Sequence, residues 1–113
     1  MRAARTFFQR QGFQVVERGK PFDLECRRAG KTVYVEVKGT QTTGDEVILT
    51  PNEVKFARQF PTTMALFVLH SVKVETSGKS ARASGGKRKI VWPWRLERRA
   101  LRAITYWYKV PSD

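Results

Sequence analysis

"PFDLECRRAGKTVYVEVKGT", residues 21–40, contains two strand-like runs joined by a very short connection. In "FDLECRR" (22–28), Phe22, Leu24 and Cys26 alternate with Asp23 and Glu25, so a period of two puts the carboxylates on one side. "TVYVEVKG" (32–39) is rich in β-branched and aromatic residues, and its Val33, Val35 and Val37 alternate with Glu36 and Lys38. "AGK" (29–31) is short enough for an antiparallel hairpin. Such a hairpin carries Asp23 and Glu25 toward Glu36 and Lys38. Carboxylates held a few ångströms apart repel unless a proton or a divalent cation lies between them. Hard, oxygen-seeking Mg²⁺ or Mn²⁺ suits that role. Charges on alternate strand positions can also mark a solvated face, with Glu36 and Lys38 as a surface ion pair of little value. The apolar residues around them argue for a sheet interior.

Outward from this hairpin, "RAARTFFQRQ" (2–11) reads as a helix with Ala4 and Phe8 on one side, stopped by Gly12. "FQVVER" (13–18) reads as a strand and "GKP" as a turn. Beyond the hairpin, "TPNE" (50–53) has the form of a capping box: Thr50 as cap, Pro51 in the first helical position and Glu53 three residues on. The helix is expected to reach about Gln59, burying Val54, Ala57 and Phe56 or Phe60, before Pro61. "TMALFVLHSVKVE" (63–75) opens as a near-continuous apolar run, which suits a strand covered on both faces, with His70 in a structural role. "TSGKSARASGGKRK" (76–89) reads as a long mobile basic loop. "IVW" is expected to be a short strand, Pro93 to open a helix through about Arg102, and "ITYWYKV" (104–110) to close the chain as a strand. The expected fold is therefore α+β in the order α-β-β-β-α-β, a mixed sheet flanked by helices, with a basic loop–helix–strand extension. All of it forms one domain: a core over 2–75, the basic loop over 76–89 and the extension over 90–113.

The chain has 22 Lys and Arg against 10 Asp and Glu, a net charge of +12. Solubility needs far less, and such an excess attracts polyanions, nucleic acid above all. Lys79, Arg82, Lys87, Arg88 and Lys89 form a cationic arm, and a helix would align Arg95, Arg98, Arg99 and Arg102 on one face. From Lys79 to Arg102 the only acid is Glu97. Contacts from these groups would fall on the phosphate backbone and weaken steeply with salt. Trp92, Trp94, Tyr106, Trp107 and Tyr108 can stack bases or serve as core and dimer contacts. A lone Cys26 forbids an internal disulfide and, with a single His, excludes the usual zinc cages. No run approaches the length of a membrane span, and the start lacks the form of a signal peptide. A reducing, cytoplasmic setting is expected, at the nucleoid if the source is prokaryotic, with no membrane partner.

"PFDLEC…VYVEVKGT" resembles the PD-(D/E)XK nuclease superfamily, an Asp opening one strand followed by Glu-X-Lys in the next. "FDLECRRAGKTVYVEVKGT", "VILTPNEVKFAR" and "ALFVLHSV" further resemble the NO VEIN C-terminal domain, a nuclease-like module. The resemblance implies a restriction-endonuclease-like core and metal-dependent hydrolysis of phosphodiesters, DNA being favoured over RNA, in repair, recombination or restriction. It implies Asp23 and Glu36 as ligands of Mg²⁺ or Mn²⁺, the backbone carbonyl of Val37 as a further ligand, and Lys38 as the group that positions the attacking water. Several superfamily members carry an acid in the first helix, where this chain offers Gln9 and Gln11. Glu25, Gln9, Thr40 and Asn52 are accessory candidates. Glu53 is assigned to capping before function, Glu25 to an ion pair and Thr40 to a plain loop. The rival readings are a non-catalytic nucleic-acid-binding module of the same fold, or an interaction subunit. The latter would meet a second copy, or a helicase, ATPase or methyltransferase partner.

Overall fold

The computed structural model describes residues 1–112, so the last position of the expected 90–113 extension lies outside the described residues. Helix α1 spans Arg2–Arg10, followed by strands β1 (Gln14–Glu17), β2 (Leu24–Arg28) and β3 (Lys31–Gly39). Helix α2 (Pro51–Gln59) then leads into β4 (Met64–His70). Up to this point the order is the expected α-β-β-β-α-β. Three more strands follow, β5 (Lys73–Ser77), β6 (Ser80–Ser84) and β7 (Lys87–Val91), and a short 3₁₀ turn at Arg98–Ala100.

The main sheet is mixed and runs β1-β2-β3-β4-β7. β2 and β3 form the predicted hairpin, in register from Leu24↔Val35 to Arg28↔Lys31. Only Ala29 and Gly30 remain in the loop, at φ of 48° and 78°. Positive φ at both central residues is the mark of the tight hairpin turn whose twist matches the strands. β3 and β4 pair in parallel, with Glu36 beside Leu66 and Lys38 beside Val68, across the connection that contains α2.

α1 covers one face of the sheet. There Ala4, Phe8 and Phe13 pack on Leu24, Cys26, Val33, Val35, Ala65 and Phe67. α2 covers the other, where Ala57 packs with Met64, Leu66, Val68 and Trp94, and with half-buried Tyr34, Phe56 and Phe60. β4 contributes to both clusters, which accounts for its continuous apolar run. Phe22 departs from expectation. It precedes β2 rather than belonging to it, and it packs on Tyr34 and Phe56 at ring-centroid distances of 4.7 and 5.0 Å, away from the Leu24 and Cys26 side.

The segment after β4 overturns three expectations. Residues 76–89 are not a long loop: β5 and β6 pair as a separate two-stranded sheet, and β7 joins the main sheet antiparallel to β4. The expected "IVW" strand thus begins earlier, at Lys87. Ser- and Ala-rich strands carry little apolar signal, so only the turns betray them. At Gly86 (φ 101°) the left-handed backbone favours glycine, and an added Cβ would crowd the His70 carbonyl oxygen at 3.2 Å and Leu69 Cγ at 3.1 Å as the chain enters β7.

The helix expected over 93–102 does not form beyond the 3₁₀ turn. Trp94 donates its backbone N–H to Met64 O at 2.7 Å and buries its side chain beneath the α2 layer with Leu96 close by. Trp94 and Leu96 are two residues apart, a strand-like spacing. A helix through them would lose that shared docking and would lack an apolar stripe of its own. No strand forms over 104–110, where Tyr106, Trp107 and Tyr108 are exposed. Trp92 and Trp94 are the core aromatics of this region, Trp92 lying 5.4 Å from Phe8.

Candidate functional site

Glu36 is 3% exposed, in the middle of β3 on the face that α2 covers. Asp23 stands just before β2. Its backbone N–H donates to Val35 O at 3.1 Å, and its Oδ2 accepts the Val37 N–H at 2.7 Å. The hairpin register therefore sets Asp23 beside Glu36, as the strand spacing predicts. Lys38 follows on the same face as Glu36, its Nζ 3.7 Å from Glu36 Oε1.

The third carboxylate comes from α2. Lys38 Nζ donates to Glu53 Oε1 at 2.8 Å and to Oε2 at 3.0 Å. Glu53 also completes the capping box. Its Oε1 accepts the Thr50 N–H at 2.8 Å, and its own N–H donates to Thr50 Oγ1 at 3.2 Å. One side chain thus fixes both the start of α2 and the position of the Lys38 ammonium. The carboxylate assigned to capping before function both caps α2 and binds the ammonium of Lys38. "TPNE" signals the cap alone; that the glutamate also reaches Lys38 follows from how α2 lies over β3.

Burial and mutual contact shift the proton affinities of Glu36 and Glu53 in opposite directions. Burial, hydrogen bonds with Glu53 and Asp23, and their negative charges push Glu36 up to about 9. Glu53 feels burial in the same upward sense. Its hydrogen bonds from Glu36, Lys38 and the Thr50 backbone outweigh that and hold it at about 2. Metal-free at neutral pH, Glu36 therefore carries the proton while Glu53 is the anion that faces Lys38.

The accessory candidates fare differently. Glu25 is 8% exposed and its Oε2 is bound by Arg18 at 3.0 Å and Arg27 at 2.8 Å, which makes it an ion-paired structural carboxylate. Gln9 is exposed on α1, across the sheet from Glu36, and does not join the site. Thr40 Oγ1 is engaged with the Thr42 hydroxyl and N–H in the loop after β3. Asn52 lines a cleft of about 720 Å³ together with Glu36, Glu53, Phe56, Lys20 and Lys55. Lys20 and Lys55 are cations at this cleft that sequence spacing did not single out, because chain segments far apart deliver them.

The basic residues are dispersed. In-register pairing sets Lys89 beside Val68 and Lys87 beside His70, and Val68 in turn pairs with Lys38, so Lys87 and Lys89 lie on the site's face of the sheet. Arg88 points to the opposite face, over the Phe7 ring at 5.0 Å. Lys79 and Arg82 belong to the β5–β6 hairpin. Arg95, Arg98, Arg99 and Arg102 do not share a helix face. Arg99 pairs with Glu97 at 2.7 Å and Arg102 with Glu46 at 3.7 Å.

Whether the donors fit a divalent cation is answered by their chemistry. Among the described residues no three His, Cys, Asp or Glu side chains are grouped to hold a metal ion. The expected set needs only the two carboxylates of Asp23 and Glu36 with the Val37 carbonyl. The Val37 N–H bond to Asp23 shows that this residue's backbone faces Asp23. A carboxyl kept protonated by burial and by two neighbouring carboxyls is the donor a hard cation relieves. The residues fit.

Fold and site together define a small α+β domain whose mixed sheet presents an Asp, Glu-X-Lys constellation beneath a helix. The chain belongs to the family described as Protein NO VEIN, C-terminal, whose model matches residues 2–82. No curated protein matches it significantly. Among solved structures it is similar to Hjc, a Holliday junction resolvase from the archaeal hyperthermophile Archaeoglobus fulgidus. The identity is 20%, the match covers 70% of this chain and 82% of that one, and the TM-score is 0.49.

Proposed function

We propose that this protein is a divalent-metal-dependent nuclease acting on DNA. The observation that carries the reading is the placement of Asp23 beside buried Glu36 by the hairpin register, with Glu36 and Glu53 both on the ammonium of Lys38. Asp23, Glu36 and the Val37 carbonyl would hold Mg²⁺ or Mn²⁺, which when bound supplies positive charge to the phosphodiester and acidifies water. The chain's own part is positional. Glu36 would give up its proton to solvent on becoming a ligand, and Lys38 would orient a water beside the phosphorus. Glu53 restrains the lysine so that its ammonium is placed before substrate arrives. Lys20 and Lys55 at the cleft, with Lys87 and Lys89 further along the same face, would take backbone phosphates. The reducing cytoplasm is the proposed setting, since Cys26 is unpaired and buried.

A second reading, a nucleic-acid-binding module that does not cleave, is favoured by the two-pronged hold of Glu53 on Lys38 and by the absence of an acid on α1. Supercoiled plasmid incubated with the protein and Mg²⁺ or Mn²⁺, beside Glu36→Ala and Lys38→Ala, separates the two. Nicking by the wild type that both substitutions abolish is the expected result. Salt-sensitive DNA retention with no nicking in either metal would leave only the binder.

A further inference from the structure

The hairpin β5–β6 emerges beside the site and has no cover. None of the five residues of either strand is buried, and a two-stranded hairpin on its own is marginally stable in water. Its root is tied to the loop that follows Lys38: Ser71 N–H donates to Thr42 O at 2.7 Å and Val72 N–H to Thr40 O at 3.2 Å. Thr40 lies two residues beyond Lys38, about 7 Å along an extended chain. Register places Lys73 opposite Ser84, Glu75 opposite Arg82 and Ser77 opposite Ser80, so one face carries two cations, one carboxylate and three serines, of which Ser80 donates its hydroxyl to Ser77 O at 2.9 Å. Lys79 sits in the turn. With β7 the stretch from Lys73 to Lys89 has six cations (Lys73, Lys79, Arg82, Lys87, Arg88 and Lys89) against the one carboxylate of Glu75.

We propose that the β5–β6 hairpin is a β-ribbon that enters the major groove of duplex DNA and so seats a duplex, rather than a single strand or RNA, against the site. The charge calls for a polyanion, and the shape selects which one. The B-form major groove, about 12 Å wide, admits a two-stranded ribbon. The A-form major groove of RNA is too narrow and deep for side chains to reach. The Ser77 and Ser84 hydroxyls and the Lys73 and Arg82 heads can meet base edges, while Lys79, Lys87 and Lys89 reach phosphates. The small Ala81 and Ala83 keep the ribbon thin. The inference deepens the nuclease reading by naming its substrate class, but binding alone tests it.

The test uses the full chain in EDTA, so that no cleavage is read. Fluorescence anisotropy across a salt series compares a short DNA duplex, one of its single strands and an RNA duplex of the same sequence. Lys73→Ser/Lys79→Ser/Arg82→Ser is expected to weaken DNA-duplex binding about tenfold or more and to flatten its log–log salt slope by about 2 to 3. These exposed changes should leave the melting temperature within a degree or two. A thiol provides a second readout, because Cys26 is buried, with its proton affinity pushed up to about 12 by burial and the Glu25 charge, and will not compete. Ser77→Cys should form a disulfide with a thiol-tethered base in the major groove, and Gln9→Cys on α1 should not. Duplex affinity changed less than about threefold in the triple variant overturns the proposal, as does equal affinity for RNA duplex or cross-linking no stronger than Gln9→Cys. A protein inert toward DNA in every metal that nonetheless gives the expected binding would end the nuclease reading and leave the ribbon standing.

Discussion

Replacing Glu36 with glutamine should make the metal-free protein more stable and at the same time inactive. Glu36 is 3% exposed and its proton affinity is raised from an ordinary 4.5 to about 9. The sign follows from counting protons. Below about 4.5 both folded and unfolded states hold the proton and the group is neutral in the balance. Between about 4.5 and 9 the folded state keeps a proton that the unfolded state would release, so stability falls as pH rises through that window. At pH 7, about 2.5 pH units above the ordinary value, the penalty reaches at most about 3.5 kcal/mol at roughly 1.4 kcal/mol per unit. Glutamine copies the neutral form and donates two N–H bonds toward Asp23 and Glu53 without holding a proton. Urea unfolding in EDTA should therefore show Glu36→Gln equal to wild type near pH 4.5 and ahead by about 1 to 3 kcal/mol at pH 7 to 8. Mn²⁺ should close the gap, because a ligand that binds only the folded state adds about 2.7 kcal/mol at a hundred times its dissociation constant, and only to the wild type. A variant less stable than wild type at pH 8, or an advantage that does not change with pH, would refute the picture of a crowded, proton-holding carboxyl.

Three other outcomes follow from the same geometry. Lys38→Met should lower plasmid nicking by about a hundredfold or more while leaving DNA retention in Ca²⁺ near normal, which filter binding beside a nicking assay can check. Thr50→Ala should cost about 1 kcal/mol through the lost cap. Glu53→Ala should cost more, because the Thr50 N–H and the Lys38 ammonium both lose a partner, and Glu53→Gln should restore most of the cap while freeing Lys38; chemical denaturation ranks the three. Trp94→Ala should destabilise by about 3 to 5 kcal/mol, enough to threaten folding, since it empties the α2-side cluster and loosens the chain that leaves β7; a thermal melt reads it directly.

Local physics was enough for the order of the elements from Arg2 to His70. There, side-chain alternation, the Ala-Gly turn and the capping box each concern neighbours within a few positions, and the correct strands and helices follow from them. The juxtaposition of Asp23, Glu36 and Lys38 was legible for the same reason: a two-residue hairpin loop leaves one register, and the register sets who faces whom. What lay beyond local reach was settled by packing. Phe22 turned toward Tyr34 and Phe56 because it lies before β2, outside its alternation. Arg95, Arg98, Arg99 and Arg102 had helical spacing, yet the burial of Trp94 and its bond to Met64 O drew the chain out straight. The β5–β6 hairpin escaped notice because serine and alanine strands bury nothing. Glu53 was visible as a cap, but that its carboxylate also restrains Lys38 depends on how α2 crosses β3, and a helix's crossing over a sheet is decided by the whole interface, which no short stretch of sequence encodes.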